Sequence, residues 1–196
     1  MSEAKPNDFG RFVTRLGRAV ARPEAFWQEI KSDAPTLGEV VFPHIVVLVA
    51  VRSVALFVGA MLGGQGFGTA LGQLFTSFVT CFAFVWTFAF AAVTIASARG
   101  GRPALNEGVI FAAYAAIPML LVSVVGLIPL PTMVRIADML AMPVSFYVLS
   151  LGVKDVLGVT EAKLPSAVAL LCGAFLVPWG PMPSLLSDII SRLGAR

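Results

Sequence analysis

Apolar residues fill the chain from Glu39 to Trp179 almost without interruption, and short loops cut this run into five stretches. A helix needs about 20 apolar residues to cross a hydrocarbon core ~30 Å thick. The pattern predicts spans near Glu39–Leu62, Thr69–Ala98, Leu105–Ile128, Thr132–Val153 and Pro165–Pro178. The last is short and extends at most into Trp179-Gly180-Pro181. Thr36-Leu37-Gly38-Glu39 has the form of a capping box and opens the first span. Residues 63–68 form a glycine-rich uncharged turn, Arg99-Gly100-Gly101-Arg102-Pro103 a basic one, and Leu130-Pro131 a third. Lys154 to Leu164 is the one substantial polar connection. Pro118 and Pro143 fall inside spans three and four, where each frees a backbone carbonyl. The predicted fold class is all-α: a polytopic membrane bundle of five transmembrane helices, flanked at both termini by interfacial amphipathic helices.

Ahead of the first span, Phe9, Phe12, Val13, Leu16 and Val20 recur at helical spacing on one face, and Arg11, Arg15, Arg18 and Arg22 on the opposite face. This pattern predicts a helix lying in the membrane interface with its arginines toward phospholipid headgroups. An amphipathic helix packed on the rest of the protein has the same pattern; the small soluble surface favours the interface. Pro23 ends this helix and suits the first turn of the next, Glu24 to Lys31. Phe26, Trp27 and Ile30 give that helix an apolar side, with Trp27 expected as an interfacial anchor. Leu185, Leu186, Ile189, Ile190 and Leu193 predict a second interfacial helix in the tail. The expected organisation is a cytoplasmic N-terminal segment over 1–38, a membrane domain over 39–181 and an amphipathic tail over 182–196.

Composition agrees with this layout. Hydrophobic residues make up 58% and charged residues 13% of the chain, against about 25% charged in soluble domains. The N-terminal segment has no apolar core followed by a small-residue cleavage site, so no cleavable signal peptide is expected. Orientation follows from lysines and arginines. With the N-terminus inside, Lys5, Arg11, Arg15, Arg18, Arg22, Lys31, Arg99, Arg102, Lys154 and Lys163 are cytoplasmic. Arg135, Arg192 and Arg196 are outside, and Arg52 completes the 14. Five spans then place the C-terminus outside.

Candidate chemistry is sparse. The two cysteines, Cys81 and Cys172, lie inside predicted spans, and the single histidine, His44, cannot build a metal site with them. No Ser/His/Asp set, HExxH, CxxC or Walker motif occurs. The expectation is a non-enzyme with no metal, cofactor or nucleic-acid partner. Arg52 stands out, being the only formal charge between Val40 and Ala98. A central Arg costs roughly 2.5–3.5 kcal/mol on insertion scales, so such residues face a partner or a wet cavity. Asp138 in span four should lie ~10 Å below the outer boundary and Arg52 ~15 Å below it, within reach of an Arg side chain. An Arg52–Asp138 pair would be a packing device or part of a polar binding cavity. Otherwise Arg52 snorkels and Asp138 meets Arg135. Gly59-x-x-x-Gly63 fits a small-residue helix-dimer motif.

Several segments resemble the Yip family, the Ypt/Rab-interacting membrane proteins, in its bacterial branch. Arg22-Pro23-Glu24-Ala25-Phe26-Trp27 is similar to the Pro-x-x-Phe segment before that family's first span. Phe111-Ala112-Ala113-Tyr114-Ala115-Ala116-Ile117-Pro118 is similar to its Tyr-x-x-x-Pro segment in the third. The run from Ser150 through Gly152 to Val159 looks like its connection after the fourth. Pro23, Phe26, Tyr114, Pro118 and Gly152 carry the likeness. It implies five spans, a cytoplasmic N-terminus, an outward C-terminus and the bacterial cytoplasmic (inner) membrane. Eukaryotic members bind Rab GTPases and one another; this chain lacks their long polar N-terminal region and Asp-Leu-Tyr-Gly-Pro motif. Two functions stay open. One is a non-enzymatic adaptor, scaffold or membrane-shaping protein that meets anionic lipid headgroups and a membrane-protein partner or a second copy of itself. The other is a small transporter or channel built on Arg52, Asp138 and the proline breaks.

Overall fold

The computed structural model describes residues 8–177, which are helical with short connections. Helices α1 (Asp8–Ala21) and α2 (Pro23–Asp33) precede the membrane-type segments. The one-turn helix α3 (Leu37–Glu39) leads through a wide turn over Val40–Ile45 into α4 (Val46–Leu62). Then come α5 (Phe67–Ala98), α6 (Leu105–Ala115), α7 (Ile117–Val122) with a 3₁₀ extension over Ser123–Leu127, α8 (Pro131–Asp155) and α9 (Leu164–Leu176).

Three of these segments are long and apolar enough to cross a membrane: Leu37–Leu62, Phe67–Ala98 and Pro131–Asp155. The pair Leu105–Ala115 and Ile117–Leu127, bent by 40°, makes a fourth if it is one span. The fifth expected span appears as α9, whose 13 residues are fewer than a crossing needs. Its expected end at Pro178 and the C-terminal amphipathic helix lie outside the described residues.

The first span is not the single helix expected. Its capping box forms, with Thr36 N–H donating to Glu39 Oε2 at 2.9 Å and Glu39 N–H to Thr36 Oγ1 at 3.4 Å. The helix then breaks at Phe42, whose φ of −127° and ψ of 119° are those of extended chain. Phe42 precedes Pro43, and a residue before proline is pushed out of the helical region. In the third span, Pro118 sits in the first turn of α7, where its missing N–H costs no helical bond. It therefore starts a new helix after the bend. Pro143 is carried within α8.

Helices α6 and α7 occupy the centre. Every residue from Gly108 to Leu120 is buried, as expected of a segment apolar on all sides. On α5, Phe84 and Phe88 turn inward, while Phe75 and Phe90 stay exposed at 59% and 69%. Gly59 of α4 packs within the chain: a Cβ there would lie 1.9 Å from the Gly126 carbonyl oxygen. Backbone cannot yield at that distance, so Gly59→Ala is expected to pry α4 from the Ser123–Leu127 turn. Thermal unfolding in detergent should show a loss of about 1–3 kcal/mol, the usual cost of overpacking.

The described part of the N-terminal segment packs into the bundle. Phe26, Trp27 and Ile30 of α2 and Phe12 and Ala19 of α1 belong to the same core as α6 and α8.

Candidate functional site

Two polar or aromatic clusters stand out. The first is where α2 enters the bundle. Pro23, Phe26, Trp27 and Ile30 are all buried and share one helical face by their spacing. The Trp27 indole stacks on Phe111 of α6, with ring centres 5.7 Å apart and planes at 29°. Its Nε1–H donates to the Val148 carbonyl of α8 at 2.7 Å. Gly152, one turn further along α8, opens the slot: a Cβ there would lie 2.6 Å from the indole Cε2. Phe26 meets the Tyr114 ring edge-on at 5.0 Å. Pro23, Phe26, Tyr114 and Gly152 thus gather at one joint of α2, α6 and α8, with the buried Pro118 just beyond Tyr114 at the start of α7. Trp27, expected at the membrane surface, is instead fully buried. A slot over a glycine and an acceptor for its N–H satisfy both ends of the side chain.

Above this joint, His44 and Tyr114 meet edge-on at 5.6 Å, and Phe12 of α1 covers His44 at 5.0 Å. His44 Nδ1–H donates to the Glu39 carbonyl at 2.9 Å. His44 Nε2 is buried without a hydrogen-bond partner, and the buried Tyr114 hydroxyl lies beside the Arg15 guanidinium. Arg15 keeps its carboxylate partners when that hydroxyl is removed, so the loss is small. Tyr114→Phe should therefore leave the unfolding free energy within about 1 kcal/mol of wild type, whereas Tyr114→Ala should cost about 3–5 kcal/mol. Denaturant titration in detergent checks both.

Two arginines of the predicted stripe, Arg15 and Arg18, have partners within the protein. Arg15 donates to Asp33 Oδ2 at 2.9 Å and lies 3.9 Å from Glu29 Oε1. Arg18 donates to Glu29 Oε2 at 2.6 Å. Arg22 is exposed where α1 passes into α2, and the Arg11 side chain lies outside the described residues. Arg15 and Arg18, expected to face lipid headgroups, are both paired to carboxylates of α2. Glu29 and Asp33 stand four residues apart, on one face of α2. That spacing was visible in the sequence, but it gained meaning only once α2 lay beside α1.

Nearby, Lys31 approaches Asp155 at 3.5 Å. A cavity of about 260 Å³ opens there among Ile30, Pro35, Glu107, Ile110 and Val156. In the following loop, Lys154 donates to Glu161 at 2.5 Å, which holds the Glu161 carboxyl below the usual carboxylate range.

The second cluster lies deep between spans. Arg52 of α4 reaches Asp138 of α8 through two parallel bonds, Nη1 to Oδ1 at 3.1 Å and Nη2 to Oδ2 at 3.0 Å. The Arg52 side chain is 8% exposed and that of Asp138 19%. This fork-to-fork geometry is the strong form of a carboxylate–guanidinium contact. Arg135 is exposed. Cys81 of α5 lies within electrostatic reach of both charges. Ser77, Thr80 and Cys81 follow helical spacing on α5, a stripe the sequence displays but that the charge pattern alone did not pick out. Among the described residues no three His, Cys, Asp or Glu side chains form a metal-binding group. The cluster holds a matched ion pair that joins two helices.

No protein of curated function and no solved structure matches the chain. A family model does: the Yip1 domain, over residues 18–180. That stretch takes in the joint of α2 with α6 and α8 and also the Arg52–Asp138 pair. The chain is a membrane protein with several apolar helices, and it belongs to the Yip1-domain family.

Proposed function

We propose that this protein is a non-enzymatic membrane adaptor or scaffold, five-spanning, with its N-terminus in the cytoplasm and its C-terminus outside a bacterial inner membrane. Its charged N-terminal face and the Lys154–Lys163 loop meet anionic headgroups and a membrane-protein partner, or a second copy of the chain. The observation that carries this reading is the packed centre: Gly108 to Leu120 is buried without a break. A solute path needs polar lining through the middle of the bundle, and the side chains of this central stretch are apolar but for Tyr114. The ten-to-three division of lysine and arginine supports the orientation.

A small transporter is the second reading. It is favoured by the buried Arg52–Asp138 pair beside a span bent by 40°, since broken helices mark many transport sites.

Crosslinked purification from native membranes, wild type beside an Arg11/Arg15/Arg18→Glu variant, separates them. The adaptor reading expects a stoichiometric partner that the variant loses. No partner, together with solute flux in proteoliposomes that Arg52→Ala abolishes, would overturn it in favour of transport.

A further inference from the structure

We propose that α1 is a latch opened by anionic lipid: lipid phosphates compete with Glu29 and Asp33 for Arg15 and Arg18, and the released helix lies on the membrane, uncovering His44 and Tyr114. The inference rests on the adaptor reading for one point, that α1 lies beside a leaflet carrying anionic headgroups.

Three observations converge on it. First, the docked helix is held through groups that a lipid surface can replace. Arg15 and Arg18 bind carboxylates with side-chain exposures of 49% for Asp33 and 26% for Glu29. A phosphate offers the same charge and acceptor geometry. Second, only part of the apolar arc of α1 is used by the bundle. Phe12 and Ala19 are buried, but Val13 and Val20 remain 52% and 41% exposed. The whole arc can enter the headgroup–acyl boundary at once. Third, the docked position hides one polar atom without a partner, His44 Nε2. Phe12 covers His44, so lifting α1 lets water reach it. The docked state thus keeps its ion pairs at the expense of a buried polar group, and the released state reverses the exchange.

Closure and opening are read as a distance. Gly17 is exposed, and a side chain there meets nothing within 4 Å; Ser97 is exposed at the end of α5. The full chain carries spin labels at Gly17→Cys and Ser97→Cys, with Cys81→Ser and Cys172→Ala removing the native thiols. It is placed in nanodiscs of phosphatidylcholine with rising phosphatidylglycerol. One distance is expected in pure phosphatidylcholine, and a second population grows with phosphatidylglycerol. Glu29→Gln with Asp33→Asn should lower the midpoint of that titration at least threefold. Arg15→Gln with Arg18→Gln should abolish the response. Soluble glycerol phosphate added to phosphatidylcholine discs should leave the distance unchanged. A single distance at every lipid composition, in both wild type and the α2 variant, would overturn the latch. So would an equal response to soluble glycerol phosphate. Neither outcome touches the partner experiment, so the latch and the adaptor reading fail separately.

Discussion

Replacing Trp27 with alanine is expected to unseat α2 and to lower the unfolding free energy in detergent by about 3–5 kcal/mol, the range for losing a buried large aromatic. Trp27 is wholly buried, stacks on Phe111 and bonds the Val148 carbonyl. Its loss removes contacts to α6 and α8 together. Gly152→Ala attacks the same joint from the other side, because its methyl would lie 2.6 Å from the indole. The indole ring is rigid, so the helix must move. Both single variants should show faster proteolysis between Ala21 and Thr36 than wild type. Trp27→Leu with Gly152→Ala restores some of the lost volume and should be more stable than Gly152→Ala alone. Equal stability of wild type and Gly152→Ala would mean that the slot is not needed.

The second large effect concerns the charge pair. Removing one partner of a buried ion pair leaves the other without compensation, at about 3–5 kcal/mol. Arg52→Ala and Asp138→Ala are each expected to lose that much, read as a drop in Tm in mild detergent. The double variant should lose less than the sum of the two, because no charge is stranded. A structural pair gives this coupling with wild-type function in the double variant. If the double variant folds but the cell phenotype is lost, the pair serves more than packing. Two independent, additive losses would show that Arg52 and Asp138 act separately.

Much of the layout was legible because the membrane imposes a simple rule, long apolar runs with short polar breaks. The second and fourth spans end within two residues of their expected bounds, at Ala98 and Asp155. The broken first span had a local signal, Pro43 after Phe42, which the length of the apolar run obscured. Trp27 was harder. An aromatic beside a predicted span suits the interface equally well, and only the distant Gly152 distinguishes a slot from open membrane. The same limit applies to Arg15 and Arg18, since an arginine stripe looks alike beside phosphates or beside Glu29 and Asp33. Arg52 and Asp138 could be paired by depth because charges are so few in spans one and four.

The seat of Trp27 also sets a timetable for synthesis. The indole and the Val148 carbonyl that receives it are 121 residues apart in sequence. When α2 leaves the ribosome, the two spans that enclose it, the third and fourth, have yet to be inserted, and α8 is completed only near Asp155. The apolar edge of α2 must therefore wait, resting on lipid or on a chaperone, until the fourth span arrives. Completion of this joint is expected as a late event of biogenesis, and chains halted before Gly152 should leave α2 open to protease however well their earlier spans are inserted.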